Sequence, residues 1–145
     1  MFRIAQTVLI LFTAQLAFGQ SNALEGKYYI PYTKLQPSGY QPESVFLILS
    51  DGTWESQVNH GDAREITKGT YQITGPNTAV FQKPEKITVC PNVDNEEGAQ
   101  YPLNVQFKKE KGVLTMKVGD GVRVTSEGTP AEIDKFMKLP ECPRK

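Results

Sequence analysis

Two cysteines, one histidine and a short acidic run are the residues of this chain whose types and spacing could do chemistry. Cys90 and Cys142 make an even count, and the default for such a pair in an oxidising compartment is one disulfide. It would pin the C-terminal segment to the middle of the chain and, in the chain-entropy picture, stabilise it by about 4 kcal/mol. A catalytic thiol is the rival use, but a reactive thiolate wants an electropositive helix start, and both cysteines stand beside proline. A Cys/His zinc site is not signalled either, with a single histidine and no close cysteine pair.

His60 lies in the polar loop Asn59-His60-Gly61-Asp62-Ala63. As a base or a ligand it needs an orienting partner, and Asp62 is too near in sequence to be evidence of one, so it reads as a solvated loop histidine. The run Pro91-Asn92-Val93-Asp94-Asn95-Glu96-Glu97-Gly98 offers the oxygens that calcium prefers, yet it lacks the glycine and terminal glutamate of an EF-hand at their offsets and reads as a solvated loop. There is no Gly-x-Ser-x-Gly elbow, no phosphate-cradling glycine loop, no metal-ligand cluster and no His-centred triad. The residues therefore point away from an enzyme and call for no cofactor; only two acids converging from separate strands would revive catalysis.

The elements that carry these residues are strands. Asp51-Gly52 is the two-residue loop of a type I′ hairpin, which sets Ser50 against Thr53, Leu49 against Trp54, Leu47 against Ser56 and Val45 against Val58, with Ile48 against Glu55 and Phe46 against Gln57 on the other face. A three-residue loop at Gly75-Pro76-Asn77 sets Ile73 against Ala79 and Tyr71 against Phe81. Tyr101, Leu103, Val105 and Phe107 alternate with polar residues, and a turn at Lys111-Gly112 places Phe107 opposite Met116 and Val105 opposite Val118. A loop at Gly119-Asp120-Gly121 then sets Val118 against Val122 and Met116 against Val124.

Other segments read more simply. Leu24 to Tyr32 is a first strand with Leu24, Gly26, Tyr28, Ile30 and Tyr32 on one side, and Pro31 marks an edge or an end. Residues 33–44 form a Pro- and Gly-punctuated loop, Arg64 to Lys68 a short polar strand or extension, and Ile87 to Cys90 a further short strand. Thr129-Pro130-Ala131-Glu132 is a capping box opening a short helix whose face of Ile133, Phe136 and Met137 packs on the outside of the sheet.

Residues 1–19 carry Arg3, no acid, an apolar run from Val8 to Phe12 and a small-x-small ending at Ala17-Phe18-Gly19, the pattern of a secretory signal peptide cleaved before Gln20. The apolar run falls short of the roughly 20 residues of a spanning helix, and no later segment reaches that length. Residues 20–145 then form a single domain. Basic and acidic residues balance across the chain at 16 each, which gives no basic surface for nucleic acid or anionic lipid.

Eight or nine short strands in up-and-down order, followed by a short C-terminal helix, predict an all-β antiparallel barrel, with a two-layer sandwich as the alternative. Several stretches resemble the lipocalin-like (calycin) group of small exported barrels: Gly26-Lys27-Tyr28 where that family has Gly-x-Trp, the run from Phe46 to Trp54, Gly69-Thr70-Tyr71 within a strand ending at Gly75, and the helix after the last strand. Arg123 is the only candidate for that family's last-strand arginine, and the hairpin register sets it opposite Lys117. The resemblance implies a secreted, extracellular barrel whose apolar interior holds a small hydrophobic ligand, with Trp54, Tyr71, Phe81, Tyr101 and Phe107 as candidate lining. Two other uses of those residues stand beside it: aromatics that simply fill the barrel, and a solid scaffold whose loops 33–44 and 91–100 bind an extracellular protein partner.

Overall fold

A computed structural model of the chain describes residues 23–31, 44–91, 100–118 and 122–145. The segment read as a signal peptide, Tyr32, nearly all of the loop 33–44, the acidic run from Asn92 to Gly98 and the loop Gly119-Asp120-Gly121 lie outside the described residues.

The protein is an all-β, nearly closed barrel of antiparallel strands with one short helix. The strands are β1 (Gly26–Pro31), β2 (Ser44–Ser50), β3 (Thr53–Asn59), β4 (Arg64–Gly75), β5 (Thr78–Phe81), β6 (Glu85–Lys86), β7 (Leu103–Glu110), β8 (Val113–Val118) and β9 (Val122–Thr125), and helix α1 spans Pro130–Met137. Going round the sheet the order is β1-β2-β3-β4-β5-β7-β8-β9, a meander in which each strand pairs with its neighbour, while β6 pairs on the side with β4.

Turn chemistry fixes the registers. Asp51 and Gly52 have φ of 48° and 72°, Lys111 and Gly112 have 49° and 80°, and positive φ at both central residues is what a type I′ turn needs. The β2–β3 pairs are those the sequence predicts, from Ser50–Thr53 out to Val45–Val58, and so are Glu110–Val113, Phe107–Met116, Val118–Val122 and Lys117–Arg123. Inward positions build one cluster from Leu24, Tyr28, Leu47, Leu49, Trp54, Tyr71, Ala79, Phe81, Val105, Phe107, Leu114 and Met116.

Three segments differ from the sequence reading. The residues from Arg64 to Gly75 are one strand of 12 residues, not a polar extension followed by a hairpin arm; its first half pairs with β3 and its second with β5. At the β4–β5 turn Gly75 pairs with Thr78, so Pro76-Asn77 is the loop and Thr74 the extra residue of a bulge, its hydroxyl 3.1 Å from that of Thr78. Ile73–Ala79 and Tyr71–Phe81 nonetheless pair as expected, because the bulge absorbs the difference. Ile87 to Cys90 is not a regular strand; the pairing with β4 falls at Glu85–Lys86, after which the Ile87 and Thr88 N–H groups both donate to Ile66 O.

Helix α1 has the expected capping box: Thr129 Oγ1 accepts from Glu132 N, and the Glu132 carboxylate accepts from Thr129 N at 2.8 Å. Those hydrogen bonds, from the Thr129 backbone and then its hydroxyl, hold the Glu132 carboxyl below its ordinary range. Phe136 is buried on the outer face, 5.9 Å from both Tyr29 and Phe46, which explains why an outward residue of β2 is apolar. Ile133 is half-buried, and Met137 is 42% exposed, with its sulfur 3.7 Å from Arg64 Nη1.

Gly69 faces Trp54 directly across β3–β4, and a Cβ there would lie 2.5 Å from the indole. The indole thus lies on bare backbone, and no flexible group is available to yield. Gly69→Ala is expected to destabilise the protein by about 1–3 kcal/mol in urea unfolding followed by Trp54 fluorescence. An unchanged midpoint would show that the indole does not depend on this seat.

Candidate functional site

Four of the five side chains expected to line the interior, Trp54, Tyr71, Phe81 and Phe107, are buried in the inner cluster, and Tyr101 packs half-buried at its margin. Phe81 is the hub of the aromatic group. Its ring stacks on Tyr71 at 5.3 Å and 19°, and lies 6.2 Å from Trp54 at 49°. These contacts follow from register: Tyr71 pairs with Phe81 across β4–β5, and Trp54 with Gly69 two residues before Tyr71.

Two polar atoms stand out in that apolar setting. Trp54 Nε1 and Tyr71 Oη are buried, and neither N–H nor O–H finds an acceptor among the described residues. A buried donor without an acceptor costs about 1–3 kcal/mol. Burial pushes the Tyr71 phenol above its ordinary range, and the Glu25 carboxylate adds to this; the nearby Gly52 amide opposes it, and Tyr28 and Asp51 reinforce it. Tyr71 is therefore a neutral donor over the whole physiological range. Tyr28, also in the cluster, is different: its hydroxyl donates to Leu24 O at 2.8 Å and Glu25 O at 3.1 Å. Lys109 crosses from β7 to donate to Glu25 O at 2.9 Å and sits 5.5 Å from the Tyr28 ring, so β1 is tied to the far side of the sheet at this end.

A second constellation lies where the C-terminal segment meets β4. Arg64 donates through Nε to Leu139 O at 2.8 Å and through Nη1 to Gln57 Oε1, with Nη2 3.4 Å from Glu141. Beyond the helix the chain runs alongside: Arg64 N donates to Pro140 O, Cys142 N to Arg64 O and Val89 N to Pro143 O, each at 2.9 Å. The Cys90–Cys142 disulfide closes this corner across 52 residues, as expected. Next to it Glu65 is buried, accepting from Cys90 N at 3.3 Å and pairing with Lys86 at 3.3 Å. His60 is not a solvated loop residue; it is half-buried, and its ring nitrogen, a Glu65 oxygen and Cys90 Sγ lie within 4.8 Å of one another.

Sequence reasoning missed Arg64, Glu65 and the setting of His60. Arg64, Glu65 and Ile66 are all buried in succession, which a half-wet strand cannot do. It happens because the C-terminal segment covers the face that would otherwise meet water. Elsewhere, on the wet side of β5, β7 and β8, Thr78, Asn104, Gln106 and Lys117 border a hollow of about 410 Å³.

Comparison of the chain with protein-family models, with curated proteins and with solved structures gives no match in any of the three. No helix among the described residues is long and apolar enough to cross a membrane.

Two outcomes test this account. Arg64→Ala strips Leu139 O and Gln57 of their donor, and is expected to cost about 2–4 kcal/mol in urea unfolding and to speed proteolysis after α1; wild-type resistance would show that the guanidinium does not hold the segment. Burial also raises the pKa of Tyr101. Tyr71 and Tyr101 thus contribute stability that is full below about pH 10, where unfolded tyrosine ionises, and is lost as pH rises through their higher folded values. An ultraviolet titration of the folded protein should resolve a late-ionising class that joins the rest on unfolding, and a single transition near pH 10 would contradict the burial.

Proposed function

We propose that the protein is an exported, lipocalin-like barrel that binds a small hydrophobic molecule against its inner aromatic wall. The pair of buried donors at Trp54 Nε1 and Tyr71 Oη carries this reading, because an apolar wall fitted with unanswered donors suits an apolar guest that brings an acceptor. Export is supported by the signal-peptide pattern of residues 1–19 and by the disulfide.

The surroundings of Tyr71 narrow the guest. Glu25 and Asp51 act on its phenol as negative charges, so a carboxylate head would be repelled there. A carbonyl, ether or hydroxyl oxygen meets the donors without that repulsion. The favoured ligand is thus a neutral, mostly apolar molecule with one oxygen acceptor.

Trp54 is the only tryptophan, so its fluorescence reports the interior alone. A neutral apolar fluorophore is expected to quench it saturably and to be displaced by extracts of the native source. Tyr71→Phe should weaken that binding about fivefold while leaving the empty protein about as stable, since the lost hydroxyl has no acceptor to give up. The absence of any saturable change would leave a solid core with the loops as working parts. Mass spectrometry of small molecules released from natively purified protein would identify the guest.

A further inference from the structure

We propose that reduction of the Cys90–Cys142 bridge turns the corner beneath the C-terminal segment into a site for a single zinc ion, with the two cysteine thiolates, the His60 imidazole and the Glu65 carboxylate as ligands. Donor atoms of His60, Glu65 and Cys90 already lie within 4.8 Å of one another, and Cys142 Sγ is bonded to Cys90 Sγ. Three donors thus already meet, and the second sulfur is bonded to one of them, so opening the bridge supplies an S2NO set from three stretches of the chain in a largely buried place. Nitrogen, sulfur and carboxylate ligands at about 2.0–2.3 Å from a tetrahedral zinc stand roughly 3.5 Å apart. The group has to contract by about 1 Å, which side-chain rotation supplies.

The frame around the sulfurs does not depend on the bond between them. Cys142 N is held by Arg64 O, Arg64 N by Pro140 O, and Val89 N by Pro143 O, each at 2.9 Å, while Cys90 N is held by the Glu65 carboxylate at 3.3 Å. Opening the bridge leaves both thiols side by side on two backbones that are still paired. Glu65 presents one oxygen to Lys86 at 3.3 Å and the other to Cys90 N, so its carboxylate is already oriented and beside the sulfurs. A doubly charged ion competes favourably with the partly exposed Lys86 ammonium for that oxygen.

The chemistry balances with a dithiol as the reductant. The dithiol delivers two electrons, the Cys90–Cys142 S–S bond breaks, two thiols form, and the dithiol leaves as its own cyclic disulfide. Zinc then takes both sulfurs as thiolates and the two protons pass to solvent. Metal and bridge become alternative fasteners for one seat. The C-terminal segment is held in either redox state, and the bound ion shields the thiols from re-oxidation.

The test uses Co2+ as a spectroscopic stand-in for Zn2+ on the folded protein, reduced with a phosphine and kept free of oxygen. The expected result is one Co2+ per chain, with the thiolate charge-transfer band and intense visible bands of a tetrahedral site, displaced by Zn2+ and absent from the oxidised protein. His60→Ala and Glu65→Gln should each weaken binding by about tenfold or more, and Cys90→Ser with Cys142→Ser should abolish the charge-transfer band. Far-ultraviolet circular dichroism of each variant checks that the barrel persists. The proposal is overturned if the reduced protein takes up no Co2+, if His60→Ala binds as tightly as the wild type, or if reduction alone unfolds the chain, since the site requires a frame that outlasts the bridge.

Discussion

Strand register is the constraint from which the rest of this structure follows. Side chains alternate between the two sides of a strand, so a slip of one residue would send Leu49, Trp54 and Tyr71 to the water and bring Ile48, Glu55 and Thr70 inside. The registers are secured locally, at Asp51-Gly52 and Lys111-Gly112, where the backbone admits few alternatives. Two short turns thereby decide which atoms of distant strands touch. The inward Leu49–Trp54 and Phe107–Met116 pairs and the outward Phe46 beneath the helix inherit their positions from them.

Where a physical rule acts over a few neighbouring residues, the sequence was readable. The type I′ loop at Asp51-Gly52, the turn at Lys111-Gly112, the capping box at Thr129 and the alternation from Leu103 to Phe107 each rest on local geometry and appear as expected. The Cys90–Cys142 pair was readable for another reason, since two cysteines admit one pairing. What escaped was decided at long range. Arg64, Glu65 and Ile66 look like the start of a wet strand, and only a segment some 75 residues further on makes them a covered one. His60 was placed in solvent on the same grounds, and its neighbours Glu65 and Cys90 come to it through tertiary structure. The bulge at Thr74 was missed because a two-residue loop with a bulge and a three-residue loop give the same pairs beyond it.

The interior and the corner use polarity in opposite ways. At the corner, each charged group is answered: the Arg64 guanidinium by two carbonyl-type oxygens and Glu141, the Glu65 carboxylate by an amide and an ammonium. Such a network disfavours any shift that leaves a buried charge without a partner. Inside the barrel the donors of Trp54 and Tyr71 have no such answer among the described residues. The corner has its charges answered, whereas the barrel interior retains unspent hydrogen-bonding capacity.

The reach of Arg64 to residues around 140 also bears on how the chain comes together. β4 leaves the synthetic machinery long before Pro140 and Cys142, and a nascent barrel must carry a bare strand margin and an uncompensated guanidinium during that interval. Contacts so distant along the chain make for slow assembly, and they place the formation of the sulfur bridge among the last events rather than the first. A helper protein that shields the margin of β4 would find its work there, in the interval between making that strand and making its cover.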